Sequence, residues 1–109
     1  MASEIMAVKL IKELSDSEVD LLAVTADHTY TILNISICET AGAAETFDLY
    51  IRDDAGANDY EIYSDQALGA NETFEHTSRI VLQTTDVLSA KLGSTGDVDI
   101  VISYLDQTL

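Results

Sequence analysis

The chain has no proline and no tryptophan, a single cysteine, five glycines, and five basic residues against twenty acidic ones. Each shortage excludes something. Without proline, turns must be set by Gly, Asn, Asp and Ser, and exposed strand edges must be guarded mainly by charged side chains. One cysteine, Cys38, cannot close an intrachain disulfide, so the fold is held by packing. The residue reads either as a small filler against a second sheet or subunit, or as a free thiol. With a formal charge of −15 and a pI near 4.1, the chain repels phosphate. This argues against nucleic acid and anionic membrane surfaces as partners and leaves proteins and cations. No apolar run approaches transmembrane length, and Glu4 interrupts the N-terminus where a signal peptide would need an apolar stretch.

What is present is apolar content, 47% of 109 residues. That is enough for one domain burying roughly 60–70% of its unfolded surface, and it argues against disorder despite the charge. The stretch that organises the rest is Thr29 to Asp54. Leu33, Ile35 and Ile37 alternate with Asn34, Ser36 and Cys38, and Phe47, Leu49 and Ile51 alternate with Asp48, Tyr50 and Arg52. Period two with one greasy face predicts two strands, and the small Ala41-Gly42-Ala43-Ala44 between them predicts a β-hairpin.

Further strands are expected over residues 1–14, 19–25, 60–64, 72–76, 79–83, 87–92 and 98–105. In the first, Met6, Val8, Leu10 and Lys12 share a face; helix is the rival there, because Ala, Lys, Glu and Leu favour it. Residues 1–5 read as a mobile tail, 6–109 as one β-sandwich domain, and 6–14 as a docking strand or arm. Gly93-Ser94-Thr95-Gly96 reads as a hairpin turn, and residues 65–71 as a connection. In the last strand Val98, Ile100, Ile102 and Tyr104 oppose Asp99, Val101, Ser103 and Leu105, and both faces are partly apolar. Eight or nine short strands at this spacing predict an all-β, single-domain antiparallel sandwich, jelly-roll-like.

Chemistry-bearing patterns are sparse. His28 and His76 have no His or Cys at ligand spacing, and there is no nucleophile elbow, phosphate loop or dinucleotide fingerprint. No enzymatic role and no cofactor are expected. The densest oxygen-donor group is Asp53, Asp54, Asn58, Asp59 and Glu61. It reads as a solvated acidic turn or, alternatively, as a calcium loop, although its spacing is not that of an EF-hand.

Taken together, the opening MAVKLI, the segment TYTILNISICETAG, the return TFDLYI and the closing RIVLQTTDVLSAKLGSTGDVDIVISYLDQ resemble small all-β virion proteins of tailed bacteriophages, from Met6 to Leu105. Thr85-Asp86 stands where such proteins typically have Gly-Asp. The resemblance implies a capsid decoration or cement protein on the outer surface of the virion, made in the host cytoplasm. It further implies a major capsid protein as partner, a homo-oligomer such as a trimer, no nucleic acid and no membrane. Interface candidates are Met6, Val8, Leu10, Tyr104 and Leu105. The alternatives are a tail, neck or fibre accessory protein, and a glycan- or Ca-binding sandwich module.

Overall fold

Period-two patterning gives each strand one apolar side, and two sheets can hide those sides against one another. In the computed structural model, which describes residues 3–53 and 58–108, nine strands do so: β1 (Ser3–Leu14), β2 (Val19–Ala23), β3 (His28–Glu39), β4 (Glu45–Asp53), β5 (Asn58–Leu68), β6 (Thr73–His76), β7 (Ile80–Leu82), β8 (Val87–Leu92) and β9 (Val98–Thr108). One sheet has the order β1-β9-β3-β6, with β7 also on β3; the other has the order β2-β8-β4-β5. β6 pairs with Ile35–Cys38 and β7 with Tyr30–Ile32, so together they form one interrupted strand along the far edge of β3. With these two counted as one, the chain changes sheet at every connection except β4 to β5. This is the double Greek key of a jelly roll, as the strand pattern predicts.

The expected hairpin at Ala41–Ala44 is not one. β3 bonds to β9, β6 and β7, while β4 bonds to β5 and β8, so the two face each other across the core. Alternation fixes which face is buried but not which strand lies alongside. The Gly93–Gly96 turn likewise carries the chain between sheets, from β8 to β9. The sequence-adjacent pair that does form a hairpin is β4–β5, with Arg52 opposite Asp59 and Asp53 opposite Asn58. β5 also runs past its expected end at Ser64 to Leu68. It crosses Asp65 at φ 49°, where the Asp65 N–H donates to Asp48 Oδ1 at 2.7 Å. In β3 a bulge between Ile32 and Asn34 shifts the phase, so Tyr30, Ile32, Ile35 and Ile37 point inward while Leu33 is only half-buried.

The core is continuous across both sheets. Ile32, Ile35, Ile37, Val98, Ile100 and Ile102 meet Leu21, Phe47, Leu49, Leu88, Ala90 and Leu92, with Leu14, Leu68 and Leu82 at its margins. Each large apolar side chain so buried contributes about 1.5–3 kcal/mol. On the side where β5 and β6 are the sheet edges, aromatic rings close the sandwich. Phe47 lies 5.3 Å from Phe74 and 6.0 Å from Tyr63, and Tyr63 donates to or accepts from His76 Nδ1 at 2.7 Å.

Among the described residues one acidic side chain is buried. Glu39 is 2% exposed at the end of β3. Its Oε1 accepts from the N–H groups of Gly42 (2.9 Å), Asn71 (3.0 Å) and Ala43 (3.2 Å), and its Oε2 from that of Ala41 (2.9 Å). The carboxylate thus ties the β3–β4 turn, with Gly42 at φ 81°, to the β5–β6 turn, with Asn71 at φ 58°. Hydrogen bonds to the charged form, led by that of Asn71 and opposed by burial, hold its pKa below the ordinary carboxylate range.

Candidate functional site

β1 is an edge strand whose single pairing neighbour is β9. Its outward side chains are apolar and uncovered: Met6 is 69% exposed, Val8 57% and Leu10 68%. In register they stand opposite Leu105, Ser103 and Val101 of β9, and Val101 is itself 43% exposed. Next to β9 on the same face come Thr31, Asn34, Ser36 and Cys38 of β3. The result is an apolar stripe along β1 and β9 grading into small polar residues. Lys12 and Asp99 mark one end of it, 3.9 Å apart, beside a shallow depression of about 220 Å³ also lined by Leu10, Ile11, Ile100 and Val101.

The outer face of the other sheet is built differently. Tyr50, 2% exposed, donates its phenol to Glu18. Arg52 bonds Asp20 and, at 3.1 Å, Ser89 Oγ, which in turn donates to Asp20 Oδ1 at 3.1 Å. Burial, then the Glu18 bond and charge, push the Tyr50 phenol well above its ordinary range. Burial opposes the charge on Arg52, but Asp20 and Glu18 outweigh it and raise its pKa. Glu61 is raised by desolvation and by the nearby Asp48 and Asp59. On this face Tyr50, Arg52, Ser89, Asp20 and Glu18 bond one another, whereas the β1–β9 face leaves apolar surface in water.

Of the interface candidates, Met6, Val8, Leu10 and Leu105 lie on that stripe, with Leu105 half-buried. Tyr104 does not. By parity it faces inward, half-buried against the core, its ring 5.0 Å from Tyr30. Val101 belongs to the stripe, and the alternation of the last strand, which groups it with Leu105, is the signal that identifies it. Ser3, Glu4 and Ile5, at the end read as a tail, pair with Thr108, Gln107 and Asp106. Met1 and Ala2 lie outside the described residues. Cys38 is half-buried on the outward face, in register with Asp99 and Thr73, so it does not fill the space between the sheets.

At the described ends of the acidic segment Asp53 is bonded to residues of β5. Asp53 Oδ1 accepts from the Asn58 backbone N–H at 3.1 Å and Oδ2 from the Tyr60 hydroxyl at 3.0 Å. Asp59 sits opposite Arg52 and Glu61 opposite Tyr50, while Asp54 lies outside the described residues. Among the described residues no three His, Cys, Asp or Glu side chains converge as metal ligands.

No protein-family model and no curated protein matches the sequence. Solved structures do match the whole fold. A protein of Bacillus endospore appendages, described as disulfide-linked pili, superposes with a TM-score of 0.61 at 7% identity, over 100% of this chain and 91% of that one. A chain of the acid-stable capsid of Helicobacter pylori bacteriophage KHP30 does so at 0.54 and 11%, over 100% and 94%. VP2 of infectious bursal disease virus, in its subviral particle, gives 0.56 and 12%, over 98% of this chain but 32% of VP2. The chain therefore spans nearly the full length of the first two and about a third of the third. At these identities the likeness is one of fold: this chain is a nine-stranded jelly-roll sandwich similar to those found in a pilus protein and in viral capsids.

Proposed function

We propose that this chain is a structural protein of a bacteriophage particle, a decoration protein that binds the outer surface of the major capsid shell through the outward face of β1 and β9. The observation that carries the reading is the uncovered apolar stripe of Met6, Val8, Leu10 and Val101 on a chain of charge −15. Surface of that kind marks a protein contact. The jelly-roll fold, shared with proteins of assembled shells and a pilus, supports the same reading. The negative charge keeps the free protein dispersed and off the packaged DNA, leaving the apolar stripe as the adhesive region.

Each side chain buried on the shell contributes about 1.5–3 kcal/mol, set against an association cost of about 4–15 kcal/mol. A single copy would hold weakly, and a homo-oligomer contacting several shell subunits holds by avidity. The test is saturation binding to phage particles lacking the protein. Met6→Glu with Leu10→Glu is expected to weaken binding about 100-fold or more, from the loss of two buried apolar side chains. Tyr60→Ser, on the edge strand of the other sheet, serves as the control and is expected to bind normally. Undiminished binding of the double variant would refute the assignment. So would a copy number of six or twelve per particle, which belongs to a ring on the tail axis.

A further inference from the structure

An open strand edge is a row of unpaired N–H and C=O groups, and folded proteins blunt it with proline, bulges, short length or charge. β1 is twelve residues long and open on the side away from β9, and its bulge lies beyond Ile11. The chain has no proline, and between Glu4 and Lys12 the only charged residue is Lys9. β1 as a whole carries two acids, Glu4 and Glu13, and two lysines, so it is neutral on a chain of −15. It is a place where two copies can approach without a local excess of like charge between the strands.

The strand is also complementary to itself. Antiparallel partners sit at mirrored positions about the centre of the pairing. About Val8, Met6 mirrors Leu10, Ile5 mirrors Ile11, and Glu4 mirrors Lys12. We propose that β1 pairs antiparallel with β1 of a second copy about a two-fold axis at Val8. Each Glu4 then faces Lys12 of the other copy, Met6 faces Leu10, and Lys9 faces the small Ala7, where its long side chain has room to splay. The sheets join into one running β3-β9-β1-β1-β9-β3. Both copies turn Met6, Val8 and Leu10 to the same outward face, doubling the apolar stripe. The proposed dimer differs from the trimer that the resemblance implies, and it does not depend on what the stripe binds.

An edge-to-edge contact is small, at the lower end of specific interfaces, so the dimer is a micromolar one. Sedimentation velocity over a concentration series is expected to take the isolated protein from one chain to two. Lys12→Glu sets two pairs of carboxylates against one another, one at each end of the pairing, and is expected to weaken the dimer about tenfold, and adding Glu4→Lys is expected to restore it. Val8→Cys in a Cys38→Ser background, treated with a short bis-maleimide, is expected to yield a covalent dimer. Glu4→Cys is not, since the axis separates the two copies of that residue by about 27 Å. A monomer at every concentration, a trimeric mass, equal cross-linking of both cysteine variants, or no rescue by the charge swap would each overturn the proposal. These readouts use the protein without particles, so their failure is separable from failure of shell binding.

Discussion

Phe47→Ala is expected to lower stability by about 3–5 kcal/mol. The ring is 1% exposed and belongs to both the interior of the core and the aromatic closure formed with Tyr63 and Phe74. Truncation therefore removes apolar burial, leaves a cavity that the surrounding strands cannot collapse into, and loses edge-to-face contacts worth about 0.5–1.5 kcal/mol each. In thermal unfolding this corresponds to a midpoint lower by roughly 15 °C or more for a domain of this size. Phe47→Leu retains most of the volume and should lose a fraction of that. Equal midpoints for wild type and Phe47→Ala would mean that the edges of the two sheets do not close as described.

The second large effect is at a charged position. Glu39→Ala withdraws the acceptor from four backbone N–H groups at once and unties the β3–β4 turn from the β5–β6 turn. Glu39→Gln keeps the shape and one carbonyl oxygen but turns an amide N–H₂ toward one set of donors, so it should fall between alanine and wild type. The sign with pH follows from the lowered folded-state pKa. Stability from ionised Glu39 is fully present above the unfolded value of 4.5 and is lost as pH falls through the lower folded value. The midpoint difference between wild type and Glu39→Gln is thus expected to be large at neutral pH and to shrink as pH falls below the ordinary carboxylate range. A difference that stays constant through that fall would show that the charge is not what the turns bind.

Most of the strands were legible because period two is a local property. Ile35, Ile37, Phe47, Leu49, Val98, Ile100 and Ile102 are buried as their alternation predicts. What alternation does not encode is the neighbour. β3 and β4 have the same pattern whether they pair side by side or face each other across a core, and the small residues of the turn allow either. The deciding interactions join distant segments: Glu39 with Asn71, and β3 with the last strand of the chain. The bulge at Leu33 does leave a mark: polar residues fall on odd positions before it, Thr29 and Thr31, and on even positions after it, Asn34 and Ser36, with Ile32 and Leu33 side by side where the phase shifts. At the candidate site, Met6, Val8 and Leu10 could be read as one face, but only the edge position of β1 shows that nothing covers it. In the last strand alternation places Tyr104 with Ile100 and Ile102, and only the buried side of β9 decides that this parity faces the core and not the contact.

Amide hydrogen exchange of the free and particle-bound protein tests most directly whether the outward face of β1 and β9 is the face used in assembly. Binding is expected to slow exchange in Ser3–Ile11 and across Val101–Leu105, leaving β5 and the turns at the Glu39 end unchanged. Protection concentrated instead in those turns or in β5, or identical exchange in the two states, would contradict the account.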